Sequence, residues 1–205
     1  MIAIIDYGVG NLRSVEKAFQ FIGCEVAVTS DAKAVAAADA VVLPGVGAFS
    51  DAMDNLKKAG MVDAVKDTIA ADKPFLGICL GMQLLFDYSE EGGRNEGLGI
   101  FKGTIKQLPR DIGLKVPHMG WNSLNMKEGC RLFGNIQANP YVYFVHSFYL
   151  AAEDRKLVAS TTEYGLTFDS AIGKGNVFAT QFHPEKSGSV GLNMLKNWAA
   201  LTAKS

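Results

Sequence analysis

Two short segments, Gly77-Ile-Cys79-Leu-Gly81 and His183-Pro-Glu185, carry the residue types from which a covalent acyl-transfer site is built. A cysteine with a glycine two residues away on each side is the sulfur counterpart of the Gly-x-Ser-x-Gly nucleophile elbow. Phe75 to Ile78, an apolar run after Pro74, reads as a fully buried strand, and Leu80 to Phe86 as an apolar-faced helix, which leaves Cys79 on the turn between them. The glycines have a steric role there. A strand that turns sharply into a helix brings the residues flanking the nucleophile together, and a Cβ at either would push the elements apart. The turn also sets the sulfur at a helix N-terminus, where free N–H groups and the positive end of the dipole favour thiolate over thiol. A small core residue is an equal account of a lone cysteine at such a turn, because free cysteine is among the most buried residue types.

A cysteine nucleophile needs a base, and the chain has three histidines, His118, His146 and His183. His183 has the best surroundings. It ends the alternating run Asn176-Val-Phe-Ala-Thr-Gln-Phe-His183, and Glu185 follows with one residue between them. In extended chain, residues two apart face the same side, so the carboxylate can reach an imidazole nitrogen and hold its tautomer, with Pro184 helping to keep the segment extended. Cys79, His183 and Glu185 would then act as nucleophile, base and orienter. Without the elbow, His183 and Glu185 would read as a strand end and a solvated carboxylate.

Acyl chemistry also needs N–H donors for an oxyanion. The backbone N–H of Leu80, next to the nucleophile, is one candidate. A second lies in the loop Leu43-Pro-Gly-Val-Gly47, whose glycines let backbone N–H groups approach a carbonyl without Cβ obstruction. Each such donor is worth roughly 3 to 4 kcal/mol in a transition state. Competing signatures fail. Gly8-Val-Gly-Asn-Leu-Arg13 has arginine where a dinucleotide fingerprint needs its third glycine, and no Walker loop, His-Glu-x-x-His or zinc-type spacing occurs. No metal and no cofactor are expected.

The elements that must position these residues follow from length and pattern. With 205 residues, 48% of them hydrophobic, the chain can bury a large core, and 1–205 reads as one domain. A net charge of -1 offers no basic field for nucleic acid or an anionic membrane. The start, Met1-Ile-Ala-Ile-Ile-Asp6, has no basic leader pattern, no run is long enough to span a bilayer, and Cys24, Cys79 and Cys130 form no disulfide framework, so a cytoplasmic, reduced protein is expected. Strands are predicted at 2–6, 25–29, 40–43 and 74–78, and helices over Leu12 to Ile22, Ala48 to Leu56 and Met61 to Ala70. This alternation predicts an α/β fold with a doubly wound, mostly parallel sheet, whose site lies beyond the carboxyl ends of its strands. From about Gly97 the pattern becomes β-rich, with segments at 99–107, 115–125, 141–150, 156–163, 167–173 and 176–182, an antiparallel extension expected on the same sheet. A last helix runs roughly from Gly188 to Leu201.

With elbow, glycine loop and His-Pro-Glu in that order, the chain resembles the class I glutamine amidotransferases. Asp6-Tyr-Gly-Val-Gly-Asn-Leu-Arg13, Leu43-Pro-Gly-Val-Gly-Ala-Phe49, Pro117-His-Met-Gly-Trp-Asn122, Tyr143-Phe-Val-His-Ser-Phe148 and Gln181-Phe-His-Pro-Glu-Lys186 are similar in particular to the glutaminase subunits of imidazole glycerol phosphate synthases. The resemblance implies hydrolysis of L-glutamine to glutamate and ammonia through a thioester on Cys79, with His183 as acid and base, Glu185 as its orienter, and Val46, Gly47 and Leu80 at the oxyanion hole. It implies Gln83, Glu91, Ser147 and Phe148 as glutamine-binding residues. It implies a (β/α)₈-barrel synthase (cyclase) subunit as partner in a heterodimer of histidine biosynthesis, facing Asn11, Ser14, Met119, Trp121, Tyr143 and Lys186. Met119 and Trp121 could equally be core. A glutaminase serving another biosynthetic partner, and a free-standing cysteine hydrolase, stay open beside it.

Overall fold

In the computed structural model, which describes residues 1–111 and 113–202, strand and helix alternate through the first half. The order is β1 (Ile2–Ile5), α1 (Leu12–Phe21), β2 (Val26–Thr29), α2 (Ala32–Ala37), β3 (Ala40–Gly45), α3 (Phe49–Lys58), α4 (Met61–Ala70), β4 (Phe75–Cys79) and α5 (Leu80–Gln83). Then come β5 (Tyr88–Ser89), β6 (Asn95–Glu96), β7 (Gly103–Gln107), β8 (His118–Ser123), β9 (Asn125–Met126), β10 (Tyr141–His146), β11 (Phe148–Ala152), β12 (Val158–Glu163), β13 (Thr167–Lys174), β14 (Val177–Thr180) and α6 (Gly188–Ala199). The main sheet runs β2-β1-β3-β4-β14-β13-β11-β7-β5-β6, with β12 on β13 and β9 on β12. β2, β1, β3, β4 and β14 are parallel, and β13, β11 and β7 continue the sheet antiparallel.

The period-2 pattern of the central strands assigns their two faces. Ala3, Ile5, Val41, Leu43, Phe75 and Ala179 pack with α2, α3, α4 and α5, whereas Ile2, Ile4, Val42, Leu76, Ile78 and Phe178 pack with α1 and α6. Both faces are thus covered, as a parallel sheet requires. Trp198 of α6 is fully buried and donates its indole N–H to the Phe75 carbonyl at 3.1 Å, pinning that helix to β4.

The expected fold holds, with local corrections. α2 was not foreseen; it is one short amphipathic turn region started by Asp31, whose side chain accepts from the Lys33 N–H at 2.9 Å. The helix expected over Leu80 to Phe86 stops at Gln83, and Leu85 and Phe86 continue in tighter three-residue turns to Met82 and Gln83. The strand expected from residue 99 begins only at Gly103. Leu98, Gly99, Ile100 and Phe101 instead donate their N–H groups to the carbonyls of Leu84, Phe86 and Leu85, satisfying the open end of α5. The strand expected at 141–150 breaks at Ser147 into two, and the first half, β10, pairs with β8 in a separate two-stranded sheet. The antiparallel extension is therefore only partly on the main sheet.

Close approach governs the middle. A Cβ at Gly81 would overlap the Leu43 carbonyl oxygen, and one at Gly77 would lie 2.9 Å from the Gly81 carbonyl. Gly81→Ala should therefore cost at least about 3 kcal/mol, because β3 backbone cannot yield as a side chain does. Gly8→Ala should cost only about 1 to 2 kcal/mol, since Gly8 has φ +84 but nothing within 4 Å of its Cβ position. Urea denaturation of the two variants checks the ranking, and equal losses would mean that the elbow is not held by this contact.

Candidate active site

Cys79 ends β4 with φ 54 and ψ -111, a conformation that residues other than glycine rarely adopt. It is 7% exposed and opens onto a cavity of about 350 Å³, a size suited to one small molecule. β3 and β14 flank β4 as parallel neighbours, so three carboxyl ends converge on this point. The end of β3 leads into the Gly45–Gly47 loop and the end of β14 leads to His183. Tyr7 holds the loop by donating its hydroxyl to the Pro44 carbonyl at 2.9 Å. Gly45 has no room for a Cβ, which would meet the Tyr7 hydroxyl at 2.8 Å and the Gly81 nitrogen at 2.9 Å.

His183 and Glu185 meet as expected, by a different backbone route. Nδ1 of His183 is 2.8 Å from Glu185 Oε1, and both side chains are almost wholly buried. Pro184 to Lys186 is a 3₁₀ turn, not extended chain. His183 keeps β-region angles just before the turn, Pro184 occupies its first position with a preset φ, and Lys186 N–H returns to the His183 carbonyl at 3.0 Å. The carboxylate can only accept, so Nδ1 carries a proton. Among the described residues, His183 Nε2 and Glu185 Oε2 are buried without a hydrogen-bond partner. Burial acts to lower the His183 pKa, but the Cys79 sulfur and the Glu185 carboxylate outweigh it and raise the value to about 10.

The structure brings Val46, Gly47, Leu80, Gln83, Glu91, Ser147 and Phe148 to the cavity wall with Cys79 and His183. Gly47 has φ +100, which suits glycine at the tip of its loop. Leu80 opens α5, where the first N–H groups have no partner within the helix. Glu91 accepts the N–H of Phe49 at 2.8 Å, tying the cavity to the start of α3. Both N–H directions of Gln83 are used inside the protein, toward the Phe148 carbonyl at 3.0 Å and Gln181 Oε1 at 2.9 Å, so it offers a ligand its Oε1.

The six residues expected at a partner surface lie outside the cavity. Met119 and Trp121 are 61% and 56% exposed, which excludes a core role. Trp121 pairs across the ribbon with Tyr143, their rings edge-to-face at 6.2 Å. Lys186 is exposed, and Asn11 and Ser14 are part-exposed at the start of α1, which packs on the Pro184–Lys186 turn. That turn joins to β10 directly, since His183 N–H donates to the Tyr143 carbonyl at 3.0 Å.

Sequence reasoning passed over Gln181 and His146. Gln181 Nε2 lies 3.6 Å from the Cys79 sulfur, and His146 lines the cavity. Gln181 was reachable from the sequence, because in the run read as extended it sits two residues before His183 and so on its face. His146 was not, because its neighbour His118 is 28 residues away and meets it only through the β8–β10 register.

The family model for class-I glutamine amidotransferases matches residues 3–201, and the chain belongs to that family. Its relatives include the imidazole glycerol phosphate synthase subunit HisH of Caldanaerobacter subterraneus subsp. tengcongensis, 53% identical over 201 residues that cover 98% of each chain. Proteins of the same name from Geobacter metallireducens and Thermosynechococcus vestitus are 51% and 50% identical, over 97% and 98% of this chain and 97% and 96% of theirs. Among solved structures, a glutamine amidotransferase superposes with a TM-score of 0.76 at 16% identity, covering 99% of this chain and all of that one. PurLQS from Thermotoga maritima gives 0.73 at 18%, covering 98% and 97%. At such identities these structures establish the fold.

His118 and His146 give the site a measurable acid response. Burial lowers their pKa values from 6.5 to about 4 and about 3, and the neighbouring histidine lowers His146 further. The unfolded chain binds protons on these rings below 6.5 while the folded protein does not. The stability they contribute is full above that pH and is lost as pH falls toward 4 and 3. Urea unfolding between about pH 7 and pH 4 should show His118→Phe with a shallower pH slope than the unmodified protein, by roughly one proton taken up. An unchanged slope would mean that His118 is already protonated in the fold.

Proposed function

We propose that this protein is a glutaminase that releases ammonia from L-glutamine at Cys79 and supplies it to the cyclase subunit of an imidazole glycerol phosphate synthase in histidine biosynthesis, in the cytoplasm. The observation that carries this reading is the pairing of His183 with Glu185 through Nδ1, which leaves Nε2 without a partner beside Cys79 in a cavity of small-molecule size. The identity of about half to HisH subunits over nearly the full chain supports the pathway.

The steps follow from the groups present. The Cys79 sulfur attacks the glutamine carboxamide carbon, and the oxyanion is held by N–H groups of Leu80 and of Val46 or Gly47. His183, held protonated by its neighbours, gives a proton to the departing nitrogen, and ammonia leaves as the γ-glutamyl thioester forms. His183 then takes a proton from water, whose oxygen attacks the thioester carbon. Collapse expels the sulfur and frees glutamate. Glu185 keeps Nδ1 protonated throughout, so that Nε2 does the exchange. Glutamine is held by Gln83, Glu91, Ser147 and Phe148.

Ammonia must travel unprotonated, because bulk water at neutral pH turns most of it into ammonium, which is not a nucleophile. A sealed contact with the consuming subunit meets that need. The partner is a (β/α)₈-barrel synthase in a heterodimer, and its docking face includes Met119, Trp121, Tyr143, Lys186, Asn11 and Ser14. Exposed methionine and aromatic side chains on one ribbon are the composition of an interface centre.

In the complex, Cys79→Ala should lower glutamine-dependent synthesis by at least about a thousandfold while synthesis from ammonium salts persists. Loss of both would contradict the division of labour. Glu185→Ala should be about ten- to a hundredfold milder than Cys79→Ala in steady-state glutaminase assays, as an orienting carboxylate contributes less than a nucleophile. Trp121→Ala should weaken association with the cyclase by about 2 kcal/mol in titration calorimetry. An unchanged affinity would remove the ribbon from the interface.

A further inference from the structure

The Phe148 carbonyl lies beside the cavity and can only accept hydrogen bonds, a constraint that fixes the direction of every polar contact around it. Two donors reach it, Gln83 Nε2 at 3.0 Å and His146 Nδ1 at 2.9 Å. The Gln83 group facing it must be the NH₂, and the same NH₂ is 2.9 Å from the Gln181 side chain, which must present its oxygen there. The other end of the Gln181 amide is then its NH₂, and this lies 3.6 Å from the Cys79 sulfur. The histidine side has the same logic. His146 donates through Nδ1, so its Nε2 accepts from His118 Nδ1 at 2.9 Å, and His118 Nε2 accepts from Asn122 Nδ2 at 3.3 Å. The Glu163 carbonyl, another obligate acceptor, fixes the Asn122 amide from outside at 2.9 Å.

Gln181 is fully buried, and among the described residues its amide makes no other side-chain hydrogen bond. A neutral thiol is a weak acceptor, whereas a thiolate accepts a charge-assisted bond. An N–H aimed at sulfur therefore favours the ionised form and holds the sulfur in one orientation. In the second half of the reaction the same sulfur leaves as thiolate, and the same N–H receives it.

We propose that Gln181 is a further catalytic residue of this site, its amide N–H binding the Cys79 sulfur as thiolate, and that Gln83, the Phe148 carbonyl, His146 and His118 are positioning groups that lock the amide in that direction. The inference rests on Cys79 being the nucleophile.

The test is alkylation of Cys79 in the full chain by iodoacetamide across pH, followed by peptide mass spectrometry, in the unmodified protein, Gln181→Leu and Gln181→Glu. Both variants should alkylate about tenfold more slowly at neutral pH, with half-maximal reaction displaced upward by about one pH unit, the size of one lost charge-assisted bond. Their glutaminase kcat should fall by a similar factor with KM for glutamine little changed, because Gln181 meets the sulfur and not the substrate. Variants that melt like the unmodified protein yet keep its alkylation profile would overturn the inference while leaving Cys79 as nucleophile. No alkylation or glutamine-analogue adduct at Cys79 in the unmodified protein would overturn both. A measurement without any change at Gln181 stands beside these. The ¹⁵N signal of its side-chain amide should shift with the same pH midpoint as alkylation and lose that transition in Cys79→Ala, and an amide signal blind to the ionisation of Cys79 would overturn the inference.

Discussion

The contact of Gly81 with the Leu43 carbonyl is the constraint from which the rest of the site follows. It draws the first turn of α5 against the backbone of β3, so the chain must leave β4 abruptly, and the residue at the corner is left at φ 54. Such a conformation costs of order 1 to 3 kcal/mol for a residue with a side chain and persists only where neighbours determine it on several sides. Here they do. β3 and β14 bond to β4 along its length, Gly77 admits the Gly81 carbonyl, and Trp198 fixes the start of β4 from the opposite face. The strain at Cys79 is thus supported by a strand that is buried along its whole length.

His183 reaches this point through non-local pairing. β4 and β14 are about a hundred residues apart in the chain, yet their parallel register aligns Ile78 with Thr180, so the residues that follow each strand emerge together. Beyond that alignment the geometry is local. Pro184 starts a 3₁₀ turn, the turn curls Glu185 onto His183, and Ser187 closes it by donating to the His183 carbonyl while accepting from the Tyr143 N–H. A carboxylate with one oxygen on the imidazole and the other unpaired and buried can offset its lost hydration only through the charge on His183. Against the lowering effect of burial, the Cys79 sulfur and this carboxylate together raise the pKa of that ring, so the buried Glu185 and the charge on His183 support each other.

What could be read from the sequence divides along the same line between local and distant causes. The elbow, the His-Pro-Glu segment, the glycine loop and the alternation of strand and helix are short-range patterns, and each is present, although His-Pro-Glu closes by a 3₁₀ turn in place of extended chain and α2 adds a helix to the alternation. The resemblance carried Gln83, Glu91, Ser147 and Phe148 to the cavity and Met119 and Trp121 to the surface, which periodicity alone could not have separated from core. The departures have physical reasons. Residues 98–101 look like strand because they are apolar, but the open carbonyls at the end of α5 compete for their N–H groups and win. The run 141–150 looks like one strand, yet its two halves serve different sheets. The His118 to His146 pair depends on register between strands far apart in sequence, and no local pattern encodes that; the side on which Gln181 lies was legible from its spacing to His183, but its contact with the sulfur needs the β4–β14 register.

The break at Ser147 matters beyond topology. β8 and β10 form a two-stranded ribbon outside the main sheet, and such a ribbon has little stability of its own. It is held through its side chains: Phe144 packs against Phe168 and Phe182, His118 stacks between Phe144 and Tyr164, and His146 bonds to Phe148. Alternation along β10 gives it two duties. Tyr143 lies on the outer face with Trp121, while Phe144 and His146 point inward, and the Tyr143 carbonyl holds the N–H of His183. Tyr143, one of the outer aromatic pair, itself carries the carbonyl that holds the N–H of His183, and it lies three residues from the histidine that donates to the Phe148 carbonyl. Cys79 thus sits on a strand of the main sheet, whereas the segment that carries His183 is tied also to the separate ribbon, so the two side chains are placed by different parts of the fold.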